Sequence, residues 1–231
     1  MKIKLIALIV LAGGIVAFGL LRTGSTGQKK SPPPIKDRLK WYAKEAKDNG
    51  RQKVTVPTDV IEYLGSAGTI TAEEAFSSST VVIAYLVAQE SYGRSNNITT
   101  WNKFAIDEVL SEAKELPCPT CGPSDPPAAL LPVHSGEFVI PKAGGTVNID
   151  GIEIEQTGDG FPPYEFNQRY LLLIFLYPNG TAGTIGGPVG VFRIVGDKVL
   201  PVQESDHRIL KDFKEKYGNS LARLRKRLKD E

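Results

Sequence analysis

Two cysteines and two histidines in 231 residues leave little material for the chemistry those side chains carry. Two Cys cannot make a disulfide-dense scaffold, and two His fall short of a multi-histidine metal site. The chain holds no internal repeat, and its strand-like segments do not alternate with helix-like ones, which argues against a doubly wound α/β sheet. Neither 23 Gly nor 16 Pro approaches a collagen-like content, and 41% hydrophobic residues against 23% charged ones exclude a disordered chain and a long coiled coil.

Charge is present in near balance overall but unevenly placed. Residues 1–53 carry +9, residues 54–207 carry −12 and residues 208–231 carry +5, which leaves the net +2 of the whole chain. An acidic centre repels phosphate, so no nucleic-acid partner is expected for the body. The basic ends remain suited to an anionic surface.

Residues 5–21 form an uncharged apolar run behind Lys2 and Lys4. As a helix the run would be about 26 Å long, just enough to span the hydrocarbon core of a bilayer. It is longer than the apolar core of an ordinary cleaved signal, roughly 7–15 residues, although Ala17 and Gly19 have the small side chains a cleavage site requires. The expectation is therefore a transmembrane signal anchor over residues 1–21, with a cleaved signal as the alternative. No Cys follows the run, which excludes a lipid-modified N-terminus. The orientation signals conflict. Arg22, Lys29, Lys30, Lys36, Arg38 and Lys40 outnumber the lysines ahead of the run, yet a short basic start is the usual form of an exporting anchor. The reading adopted is an extracytoplasmic body, single-pass anchored in the cell envelope, or secreted if the segment is cleaved.

A polar Gly/Ser/Pro linker follows over residues 22–34. Residues 35–50 read as an amphipathic helix with Ile35, Leu39, Tyr42, Ala43 and Ala46 on one face and Gly50 as its stop. Residues 54–203 read as the β domain. Thr71 and Glu74 form a capping-box pair for a short helix through Phe76. Residues 81–87 are too apolar for a half-exposed strand and fit one buried on both faces. Residues 98–110 return as its hairpin partner, with a bulge expected where alternation slips between Trp101 and Phe104. Turns are expected at Asp150 with Gly151, at residues 178–180, and at Gly196 with Asp197. The fold class that follows is all-β: a small antiparallel, OB-like barrel or sandwich with peripheral helices.

Four segments occur in an order that resembles a family of exported bacterial domains of unknown function. They are residues 79–84 with Val87, residues 104–110, residues 170–173 and residues 187–194. The resemblance spans roughly residues 70–203 and implies a small OB-like barrel. The chain departs from the family pattern at residues 165–169, where a Gly-Glu pair usually precedes the strand, and no Lys-Gly follows Leu110. The family has no assigned catalytic residues, so the resemblance implies none here.

Cys118 and Cys121 make the one sharp local motif, a CxxC. A redox dithiol of the thioredoxin kind needs its first Cys at a helix N-terminus, and the prolines at 123, 126 and 127 oppose a helix there. A zinc site needs four ligands; His134 and His207 would have to be brought in by the fold. The favoured reading is a disulfide closing a Pro-rich loop. Asp150, Glu153, Glu155 and Asp159 form an acidic cluster without EF-hand spacing, and residues 183–190 resemble a phosphate loop in composition only. No catalytic, cofactor-binding or metal-binding residue, and no cofactor, is expected.

Residues 207–229 read as a basic amphipathic C-terminal helix, with Gly218 placed to kink or split it. Its apolar stripe suits packing on the body, while Arg223, Arg225, Lys226, Arg227 and Lys229 are candidates for contact with an anionic surface. The function expected from all this is a non-enzymatic, membrane-tethered binding module whose partner is a protein or an envelope polymer. The alternative is an exported thiol-redox or metal-dependent protein using Cys118 and Cys121.

Overall fold

Tyr170, Leu171, Leu172, Leu173 and Ile174 are consecutive and all buried, which a strand achieves only when both its faces are covered. The computed structural model describes residues 38–57, 70–94, 96–113, 125–158 and 161–229 and shows how that cover is built. The expected membrane segment (1–21), the linker (22–34), Ile35 and the CxxC cysteines lie outside the described residues. In chain order the elements are α1 (Arg38–Asp48), β1 (Lys53–Val56), α2 (Ala72–Ser78), β2 (Thr80–Arg94), β3 (Asn97–Ser111), β4 (Glu137–Ala143), β5 (Gly145–Ile149), β6 (Ile152–Gln156), β7 (Arg169–Leu176), β8 (Ala182–Thr184), β9 (Val191–Val195), β10 (Lys198–Pro201), α3 (Arg208–Tyr217) and α4 (Leu221–Lys229). Among the described residues no helix is long and apolar enough to cross a membrane.

The larger sheet runs β10-β9-β7-β2-β3-β4, with β8 beside the far half of β7, and all its pairings are antiparallel. Alternate residues of its central strands face opposite ways. Val81, Ile83, Leu171, Leu173 and Phe192 pack beneath α2, α3 and α4. Val82, Leu86, Leu172 and Ile174 turn the other way, onto Phe104, Phe138, Phe161 and Tyr164. Phe104 stacks on Phe138 at 5.5 Å and meets the Tyr164 ring edge-on at 4.9 Å, favourable arrangements for aromatic quadrupoles.

The mostly β architecture with peripheral helices is as expected, but the closed barrel is not formed among the described residues. Strands β4 and β8 approach through one bridge, where the Val139 N–H donates to the Gly180 carbonyl at 3.0 Å, and no ladder continues it. The physical reason is the length of β8. It has three residues before the chain turns through Gly186 and Gly187, both at positive φ, and so cannot run along β4.

The β2–β3 hairpin carries three irregularities instead of the single expected bulge. Leu86 pairs with Phe104 and Ala88 with Lys103, so the extra residue near the expected place is Val87 on the partner strand. The other two leave Asp107 and Leu110 unpaired on β3. Trp101 and Phe104 lie on opposite faces of β3, Trp101 packed with Leu130 and Val139 and Phe104 in the aromatic cluster, so both faces are covered and alternation fails there.

The helices are tied down by side chains far away in sequence. Thr71 and Glu74 form the expected capping box at the start of α2, and the buried Asp212 of α3 accepts a hydrogen bond from the Ala72 N–H at 3.1 Å. Gly218, at φ 58°, ends α3 and splits the C-terminal segment in two. Asp197, in the β9–β10 turn, accepts bonds from the Ser220 hydroxyl and the Ala222 N–H and so holds the start of α4. These two bonds draw the Asp197 carboxyl below its ordinary pKa.

A second, three-stranded sheet has the order β1-β6-β5. The β5–β6 hairpin turns at Asp150 and Gly151, both at positive φ, as the Asp-Gly pair predicts. Strand β1 joins it in parallel, a pairing across about 100 residues that departs from a purely antiparallel expectation. Leu39, Ala43 and Ala46 of α1 cover this sheet together with Val56, Ile98, Ile152 and Ile154. The chain passes from β4 into β5 through Gly144 and Gly145. Gly145 sits at φ 138°, and a Cβ there would come within 2.1 Å of the Thr100 hydroxyl oxygen.

Candidate functional site

Where the far half of the β2–β3 hairpin meets the small sheet, the switch of sheets at Gly144 and Gly145 leaves a cleft of about 510 Å³. Its polar floor comes from Gln89 and Ser91 of β2 and Thr100 of β3; Lys142, Glu155 and the 161–163 segment form the walls. Polar floor and apolar wall in one concavity are the usual make-up of a small-ligand or peptide site.

The floor is hydrogen-bonded within itself. The Ser91 and Thr100 hydroxyls lie 2.9 Å apart, and Thr100 donates to the Gly144 carbonyl at 2.6 Å. Gln89 donates to the Asn102 side chain at 2.6 Å, and Asn102 donates to the Thr100 and Ile140 carbonyls. Gln156, 2% exposed, accepts from the Ile98 N–H at 2.5 Å and donates to the Pro57 and Asn96 carbonyls, joining three separate segments. Lys142 lies over the Phe161 ring, 5.5 Å from its centroid. No His or carboxylate hydrogen-bonds to Ser91 among the described residues, whereas an activated serine needs such a base. The cleft presents hydroxyl and amide groups beside the Phe161 wall.

The five basic candidates of the C-terminal segment all lie on α4 and differ in environment. Leu221, Leu224 and Leu228 are buried against the larger sheet. Arg225 is half-buried and pairs with Glu108 of β3 at 2.5 Å. Arg223, Lys226, Arg227 and Lys229 are exposed. No acidic side chain among the described residues pairs with Arg223, Lys226 or Lys229.

The remaining sequence candidates are dispersed. Cys118, Cys121 and Asp159 lie outside the described residues. Glu153 and Glu155 are bridged by Lys53 at 2.8 and 2.9 Å, which raises the Lys53 pKa and makes them a paired strand face. His207 caps α3, accepting from the Ile209 N–H at 3.2 Å, while the backbone N–H of His134 donates to Glu137. Among the described residues no group of three or more His, Cys, Asp or Glu side chains is placed to hold a metal ion. Residues 183–190 pass through a turn and the 3₁₀ segment Gly187–Gly190 into β9.

Sequence reasoning missed the cleft. Its residues come from segments up to about 70 positions apart, and only the Gly144-Gly145 pair marked the place. Comparison of the chain with protein-family models, with curated proteins and with solved structures finds no match.

Proposed function

We propose that the chain is a membrane-tethered β-rich domain held on the extracytoplasmic side, acting by binding a protein or an envelope polymer without turnover. The observation that carries the tether is the uncharged run at residues 5–21 behind two lysines. The internally bonded floor of the cleft supports binding, since hydroxyls bonded to each other and to a backbone carbonyl have no base to activate them. The order of segments between residues 79 and 194, which resembles that of an exported bacterial family, supports the extracytoplasmic reading. Binding in the cleft would use the hydroxyl and amide groups for orientation and the Phe161 wall for apolar contact.

The CxxC spacing favours a second reading, an exported thiol-redox or metal-dependent protein built on Cys118 and Cys121. Intact mass after alkylation in denaturant, taken on separated membrane and soluble fractions, distinguishes the two. A full-length membrane form that takes up no alkyl groups supports the tether and a Cys118–Cys121 disulfide. A shortened soluble form with two alkyl groups overturns the tether and moves the search for chemistry to the cysteines.

A further inference from the structure

The outward face of α4 concentrates positive charge. Within nine residues it has five basic side chains and no acidic one. The fold divides them. The three leucines are consumed by the core and Arg225 is held by Glu108, so no apolar face is left for insertion into a bilayer. Arg223, Lys226 and Arg227 stand at i, i+3 and i+4, on the side of the helix opposite the leucines, with Lys229 beside them. The helix is fixed at its start by Asp197 and Ser220, so its charges are presented by a rigid element.

We propose that this face docks electrostatically on an anionic phospholipid surface, laying the body against the bilayer. The proposal deepens the tether reading, because an anchor keeps the chain at the bilayer while a charged face sets which side of the body meets it. It also stands apart from that reading, because the face can act with the anchor cleaved. Charge complementarity selects the occupant: residues 54–207 carry −12 and are repelled by such a surface, whereas α4 has five basic side chains, no acidic one, and is attracted to it. Contact is superficial, made by exposed cations at headgroup level, and salt weakens it because exposed charges are screened.

The test uses the full chain with two sets of vesicles, pure phosphatidylcholine and a mixture with phosphatidylglycerol, at low and high salt. Flotation reports attachment, and amine labelling of Lys226 and Lys229 read by mass spectrometry reports whether the face is covered, with the exposed Lys44 and Lys47 of α1 as reference sites. The expected result is flotation with both vesicles and protection of Lys226 and Lys229 in the anionic ones alone, reversed by salt. Neutralising Arg223, Lys226, Arg227 and Lys229 to Gln should weaken any anchor-independent binding roughly fivefold per charge removed. Flotation with anionic vesicles only, lost in that variant, upholds the docking face and refutes the tether. Flotation with both and equal labelling in both overturns the docking face and leaves the tether standing. Protection by soluble polyphosphate equal to that by vesicles also overturns it, by assigning the face to anionic polymers. Failure to float with either vesicle ends both.

Discussion

The two sheets of this protein are covered in different ways. In the larger sheet, β7 and residues 81–84 of β2 are buried on both faces, by helices on one side and by the Phe104 aromatic cluster on the other, while Tyr85 and Val87, expected to be buried with them, are exposed. In the smaller, β6 alternates: Ile152, Ile154 and Gln156 are buried, while Glu153 and Glu155 face Lys53 at the surface. The interior of the first sheet is apolar packing, with polar ties such as Asp212 and Arg225 at its helical cover. The second joins a modest apolar face under α1 to a buried amide, Gln156, that ties three segments together. The lesson is that the larger sheet should be sensitive to lost volume and the smaller to lost junctions.

The largest expected effect tests the packing side. Phe104→Ala removes a fully buried ring from the aromatic cluster and should lower stability by about 3–5 kcal/mol, read from the denaturant midpoint. A loss below about 1 kcal/mol would break the comparison. Next, Gly145→Ala places a Cβ against Thr100 at a φ that L-residues avoid, for a loss of about 1–3 kcal/mol. Hydrogen exchange should then rise in β5 and β6 before β2 and β7; uniform acceleration would show that the sheets are one cooperative unit.

Asp212→Ala addresses the helical cover of the larger sheet. It leaves the Ala72 N–H without its buried acceptor and should lower stability by about 1–3 kcal/mol, measured by urea unfolding. A neutral outcome would mean that α2 does not depend on α3.

The smallest expected effect lies at the sheet edge. Glu137 pairs with Lys103 and accepts from the His134 N–H, and both hold its carboxyl below the ordinary value of 4.5. A depressed folded pKa gives stabilisation that is present above the ordinary value and lost as pH falls through the folded one. Unfolding midpoints of wild type and Glu137→Gln should therefore differ at pH 7, with the gap closing as pH falls below 4.5 and through the lower folded pKa. A gap that persists in acid would assign Glu137 a role other than its charge.

Much of the larger sheet was legible because continuous apolar runs such as residues 170–174 need cover on both faces, and because Gly196-Asp197 marks a turn locally, as Asp150-Gly151 does in the smaller sheet. Closure was not legible. It hung on β8, whose three residues are set by where Gly186 and Gly187 turn the chain. The parallel β1–β6 pair and the Asp212 cap on α2 were hidden for a related reason: each joins residues about 100 or more apart. At the C-terminus the leucine stripe foretold packing, but the capture of Arg225 by Glu108 needed the fold. The cleft had no linear signature beyond two adjacent glycines.

The central claim, a tethered body outside the cytoplasm, is tested most directly by a membrane-impermeant amine reagent applied to sealed spheroplasts. The account predicts that exposed lysines of the body, Lys44 and Lys198 among them, are labelled before lysis and that the labelled chain remains in the membrane fraction. Labelling that appears only after lysis would place the body in the cytoplasm and contradict the account.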